Sequence, residues 1–158
     1  MDKTGNENSP KYLANSCKRW LEVVALLHIF GGLSLSFNWP SIIWSEYQQK
    51  LFESFNISST IGTEVKFIVT MLTQLFGPTI ASWGVLMFFF IRKISIDALS
   101  SNETKKNINV LLLSTAIWFV FDTVISLKFG VVLHAAINVL AALSIFLPLL
   151  YLRFKKGE

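Results

Sequence analysis

Charge is the scarcest property of this chain. Asp, Glu, Lys and Arg make up 15% of its 158 residues, against about 25% in a soluble domain whose surface must stay hydrated. That shortage excludes an ordinary water-soluble enzyme domain. The wealth of aromatic residues, 14 phenylalanines among them, excludes a disordered chain. Cysteine is almost missing. Cys17 stands alone, so no intramolecular disulfide, dithiol redox pair or cysteine metal cluster is open to it. A Gly-x-Ser-x-Gly elbow, a Walker loop and a His-Glu-x-x-His helix are all absent, so no catalytic residue and no metal ligand is assigned. The formal net charge is +4, but the cations sit in short clusters beside apolar runs. That distribution belongs to membrane topology rather than to a nucleic-acid-binding face. The partner it implies is the lipid bilayer.

What the sequence does have is long hydrophobic runs, with a mean hydropathy of +0.53. A spanning helix needs ~20 mostly apolar residues. Four segments qualify, at about 20–39, 66–91, 108–127 and 129–152. The expected fold is an all-α, four-helix antiparallel transmembrane bundle over 20–152. Residues 1–19 are polar and read as a disordered tail, and 153–158 as a second short tail. The first apolar run ends in Phe37-Asn38-Trp39-Pro40, a poor cleavage site, so it reads as a retained span.

Cation placement predicts orientation. Lys3, Lys11, Lys18, Arg19, Arg92, Lys93, Lys105, Lys106, Arg153, Lys155 and Lys156 fall on one side of a four-span chain, and only Lys50, Lys66 and Lys128 on the other. Both termini are expected in the cytoplasm, most simply at a bacterial inner membrane. The outer connection, 40–65, carries Ile43, Tyr47, Leu51 and Phe55 at helical spacing among polar residues. This pattern predicts a short amphipathic helix at the membrane–water interface, with Trp39 and Trp44 as anchors there and Trp20 at the inner boundary. Asn56-Ile-Ser58 matches a glycosylation acceptor. The short Ser126–Gly130 connection predicts a tight turn, with Gly130 as terminator.

Polar residues inside the spans are the candidates for chemistry. A carboxylate near the bilayer centre costs ~2.5–3.5 kcal/mol on insertion scales, so Asp122 should face protein or water. His134 follows Lys128 by the six residues that separate Asp122 from it. Both then lie roughly 8–9 Å below the outer interface, at matching depth on adjacent helices. An Asp122–His134 hydrogen bond would orient the imidazole. Lys128 is the competing partner for Asp122. Asn138 lies one turn beyond His134.

Two further stripes are small or polar: His28, Gly32 and Ser36 on the first span, and Thr70, Gln74, Gly77, Ala81 and Gly84 on the second. Such stripes join membrane helices closely. They would alternatively contribute His28 and Gln74 to an outward cavity with Asp122, His134 and Asn138, a site for ligand binding or proton handling. Gly77-Pro78 predicts a kink in the second span. Glu22 sits three and four residues after Arg19 and Lys18, which predicts a local ion pair.

No cofactor is predicted. A quinone suits the polar interior. A bis-histidine haem does not, because His28 would lie roughly 16 Å below the outer boundary and His134 only about half as deep.

Four short spans, the stretch Leu27-His28-Ile29-Phe30-Gly31-Gly32 and the basic pair Arg92-Lys93 together resemble small bacterial DoxX-like four-helix membrane proteins. The resemblance is one of topology. It implies an accessory or quinone-linked membrane protein and transfers no catalytic residue. Three functions are compatible with this reading. The first is a non-enzymatic accessory or interaction protein. The second is a binder of a small hydrophobic ligand, quinone or lipid, with a proton-handling Asp–His pair. The third is a component of a transporter or membrane oxidoreductase, in a homo-oligomer or with a membrane-complex partner.

Overall fold

The structure, a computed structural model, describes residues 8–54 and 63–155, with the backbone alone at 8–10. The described residues form five helices: α1 (Asn8–Phe37), α2 (Ser41–Ser54), α3 (Thr63–Arg92), α4 (Asn102–Lys128) and α5 (Val132–Phe154). Four of them, α1, α3, α4 and α5, are long and apolar enough to cross a membrane. Phe55 and the Asn56-Ile-Ser58 tripeptide lie outside the described residues, as do 1–7 and 156–158.

The first helix corrects the sequence boundary. It begins at Asn8, not near Trp20, and so takes in much of the segment read as a disordered tail. Leu13, Ala14 and Cys17 supply apolar positions among the polar ones. Ala14 is fully buried and Cys17 packs on the core, so tertiary contact carries the helix through a polar stretch.

Helix ends follow local chemistry. At the end of α1, Asn38 takes a positive φ of 51°. The Asn38 N–H donates to Leu35 O at 3.2 Å and the Trp39 N–H to Ser34 O at 2.9 Å. These are the two bonds of a Schellman cap, and asparagine tolerates the left-handed conformation better than most side chains. The end of α4 repeats the motif. Gly130 has φ 72°, the Gly130 N–H donates to Leu127 O and the Val131 N–H to Ser126 O. At the other end of α4, the Ser101 hydroxyl accepts from the Thr104 N–H, an N-cap.

α3 ends differently. Its tail, Arg92-Lys93-Ile94, has neither glycine nor asparagine, and the Lys18 ammonium of α1 reaches across to donate to Ile94 O at 2.6 Å and Arg92 O at 3.5 Å. Glu22 pairs with Arg92 at 3.7 Å, not with Lys18 or Arg19. The local ion pair expected from spacing is replaced because Lys18 is occupied at the α3 carbonyls.

The long helices associate in two pairs, with α1 against α3 and α4 against α5. α1 also touches α5, while α3 and α4 barely meet. In the α1–α3 pair, Gly84 faces Ala25, Ile29 and His28, Gly32 faces Gly77 and Ala81, and Gly77 faces Ser36. Position rises along one helix as it falls along the other. The seam is backbone against backbone. A Cβ on Gly32 would lie 2.5 Å from both Ala81 N and Gly77 O, and one on Gly84 would lie 2.8 Å from Ala25 O. α3 remains one helix through Pro78, and the glycine before it is where Ser36 comes closest.

Apolar burial concentrates toward the end that carries Lys18, the α3–α4 connection and Arg153, here the basal end. Leu21, Val24, Met87, Ile91, Ile94, Leu99, Ile108, Leu111, Ile145, Leu149 and Leu152 form one buried cluster there. Outward, large apolar side chains such as Leu27, Phe30, Phe76, Phe89, Phe121 and Leu140 stand exposed along the long helices. An apolar belt of that extent fits a lipid environment rather than water.

Candidate functional site

At the opposite, distal end, α4 and α5 meet through side chains. The tight turn at Gly130 folds α5 back on α4, and this brings Asp122 beside His134. The His134 Nε2 lies 3.1 Å from Asp122 Oδ2. The Asn138 amide, one turn further along α5 and 2% exposed, donates to the same oxygen at 2.9 Å. Ser126 donates to the Asp122 backbone oxygen at 2.6 Å, turning its hydroxyl inward along α4. Lys128 does not compete for Asp122. Its ammonium lies over the Phe129 ring, 5.7 Å from the centroid.

A third helix completes the network. The Tyr47 hydroxyl of α2 lies 2.9 Å from His134 Nδ1, and its ring tilts against the imidazole with centroids 6.2 Å apart. Trp44 stacks edge-on against Tyr47 at 6.1 Å and donates its indole N–H to Ser34 Oγ at 2.8 Å. Ser34 in turn donates to Trp39 O. α2 is thereby tied at once to the end of α1 and to the α4–α5 pair, although none of its own residues is buried.

Sequence reasoning placed Tyr47 on the apolar stripe of α2 and missed its role here. The available signal was a hydroxyl on an otherwise apolar face, since a half-buried tyrosine usually finds a partner.

With a neutral imidazole and an ionised Asp122, one arrangement of protons satisfies the bonding pattern. Nε2–H donates to the Asp122 carboxylate, the Nδ1 lone pair accepts from the Tyr47 O–H, and Asn138 donates to Asp122. Side chains of Asp122 and His134 are 35% and 31% exposed, so the helices do not fully enclose the pair. Burial, and next the nearby Asp122 charge, push the Tyr47 phenol above its usual range. Chemically, the arrangement can hold the imidazole in a fixed tautomer and pass a proton between phenol and carboxylate through it.

Of the candidate residues, Asp122, His134 and Asn138 come together, and His28 and Gln74 do not join them. The His28 Nδ1 lies 2.8 Å from Val24 O of its own helix, and His28 sits at the α1–α3 seam against Gly84. Gln74 is half-buried on α3, outside the hydrogen bonds of the Asp122 network. Thr115, on the Asp122 face of α4, is buried with its hydroxyl unbonded.

Surface clefts flank the helices away from this network. An apolar groove of about 640 Å³ runs over Leu27, Phe30, Gly31 and Phe37, and a basic one of about 390 Å³ lies between α4 and α5 at the basal end. Neither is lined by Tyr47, Asp122 or His134. Among the described residues, no group of three or more His, Cys, Asp or Glu converges as metal ligands do. Comparison of the chain with protein-family models, curated proteins and solved structures gives no match.

Proposed function

We propose that this chain is a small non-enzymatic accessory or interaction protein of a bacterial inner membrane. Its four long helices form an antiparallel bundle with both termini in the cytoplasm, and α2 lies along the outer interface. The observation that carries this reading is the self-sufficiency of the Tyr47–His134–Asp122–Asn138 chain. Its donors and acceptors match one another. In a bilayer such polar contacts specify which helices meet, and this one also holds α2 down over the distal end. The resemblance to DoxX-like proteins rests on the four spans, the Leu27-His28-Ile29-Phe30-Gly31-Gly32 stretch and the basic pair Arg92-Lys93 after the second span.

The test is paired substitution. In the accessory reading, Asp122→Asn and His134→Gln lower folding and assembly together and strip nothing from the purified protein. Reporter fusions at both termini test the orientation, and a periplasmic C-terminus would refute it.

The partial exposure of Asp122 and His134 supports a second reading, a binder of a quinone or lipid whose proton passes through the pair. There the same variants stay folded, while a ligand seen by mass spectrometry of gently purified wild-type protein is lost.

A further inference from the structure

The basic groove at the basal end carries an inference independent of the distal polar chain, though it rests on the membrane reading. Lys105, Lys106 and Arg153 line it with Asn102 and Asn109, and Val110 and Leu113 form its apolar side. Several cations elsewhere in the molecule, some of them at this same end, are compensated. Lys11 pairs with Asp97, Lys50 with Glu53 and Arg92 with Glu22, while Lys18 sits on carbonyl oxygens. Lys105, Lys106 and Arg153 make no ion pair among the described residues.

Arg153 is also held in place. Its Nε donates to Asn109 Oδ1 at 2.8 Å, which fixes the guanidinium plane against α4. Glu103, in the first turn of α4, does not line the groove. The groove opens beside the N-terminus of α4, the positive end of that helix. Just along the same helix, Val110 and Leu113 are exposed and apolar. Three uncompensated cations thus stand where the apolar belt begins, in the arrangement of a phosphate site with a hydrocarbon wall below it.

We infer that this groove binds one anionic phospholipid. The headgroup phosphate sits among Lys105, Lys106 and Arg153, and an acyl chain runs along Val110 and Leu113. Basic grooves between membrane helices at an anionic leaflet recognise lipid headgroups through these two elements together. Arg153 supplies the planar, directional donor, and the two lysines supply point charge.

The experiment uses the full-length protein in vesicles of phosphatidylcholine and phosphatidylglycerol, followed by native mass spectrometry. Wild type should retain a single phosphatidylglycerol in preference to phosphatidylcholine. The triple variant Lys105→Gln, Lys106→Gln, Arg153→Gln should lose about a hundredfold in that retention, at roughly fivefold per cation. Should the triple variant misfold, Lys105→Gln with Lys106→Gln leaves the Arg153–Asn109 bond intact and should lose about twenty-five-fold by the same rule. Removing two cations at the other end, Lys66→Gln with Lys128→Gln, should leave retention unchanged.

Equal retention by a folded groove variant overturns the inference. So does an equal loss in the distal control, equal retention of phosphatidylcholine, or displacement of the lipid by millimolar inorganic phosphate, which would make free phosphate the ligand. A protein that fails to insert into vesicles would instead overturn the membrane reading.

Discussion

The two helix pairs are joined in opposite ways. α1 and α3 meet through absent side chains: Gly32, Gly77 and Gly84 let one backbone rest on the other. α4 and α5 meet through present ones: Asp122 with His134 and Asn138 toward the distal end, Asn109 with Arg153 toward the basal end. Both solutions address the lack of a hydrophobic drive between helices in lipid. The first maximises close contact, and the second exchanges hydrogen bonds. The first pair should therefore respond to volume and ignore protonation, and the second should do the reverse.

The largest effect is expected from volume at the glycine seam. A Cβ at Gly77 would lie 2.7 Å from Ser36 N and closer still to Gly32 O and Ser36 Oγ. Backbone neighbours cannot give way as a flexible side chain would. Gly77→Val should cost about 3 kcal/mol, the upper part of the range for overpacking, read by unfolding in detergent. Gly31→Val on α1, one residue before the seam's Gly32, should be neutral, because nothing lies within 4 Å of its Cβ position. A Gly77→Val protein as stable as wild type would end the account of this seam.

Next comes the polar pair. His134→Gln should cost about 1–2 kcal/mol by loss of a hydrogen bond to a charged partner. Its coupling to Asp122→Asn in a double-mutant cycle should be about 0.6–1.7 kcal/mol, between the average and the maximum for such contacts in membranes. The glycine seam should not register either change, so additivity with a mild seam variant such as Gly84→Ala sharpens the contrast.

Tyr47→Phe should be milder, about 0.5–1.5 kcal/mol. Its effect should be local, with faster amide exchange in α2 and little change in the four long helices. Uniform acceleration across all five helices would mean that α2 is integral to the bundle rather than tied onto it.

The smallest signal is a pH dependence. The Tyr47 phenol is raised in the folded protein by burial and by the Asp122 charge, so its neutral form is favoured there. Its contribution to stability is full below the ordinary tyrosine pKa and is lost as pH rises through the folded value. Ultraviolet titration should show one of the three tyrosines ionising late, and Asp122→Asn should bring it earlier. A Tyr47 that ionises no later than an exposed tyrosine would remove the tie between α2 and the polar pair.

Much of this was legible in the sequence because the informative distances are local. Helical periodicity alone aligns His28, Gly32 and Ser36, and likewise Gly77, Ala81 and Gly84. The structure brings those two stripes face to face. Equal residue counts from Lys128 place Asp122 and His134 at one depth, because a tight turn transmits register from one helix to the next.

What escaped depends on contacts that no local rule encodes. Tyr47 reaches His134 only after two long helices have been placed, and spacing along α2 says nothing about what lies beneath it. Glu22 was assigned to its helical neighbours because spacing counts partners on one helix, whereas Lys18 is drawn away to α3 and Arg92 takes its place. His28 and Gln74 lie on polar stripes of their own helices, but a stripe does not say which neighbour its helix turns it toward, and neither residue joins the hydrogen bonds of the polar pair.

The junction of Lys18 with Ile94 bears on how the chain is made. α3 carries no stop of its own, and the group that satisfies its last carbonyls lies 76 positions earlier. The N-terminal segment leaves the ribosome first, so the ammonium that closes α3 exists before α3 does. Deleting Lys18 should therefore leave α1 helical and let α3 run on or fray at Arg92. The length of one membrane segment would then depend on a residue synthesised long before it.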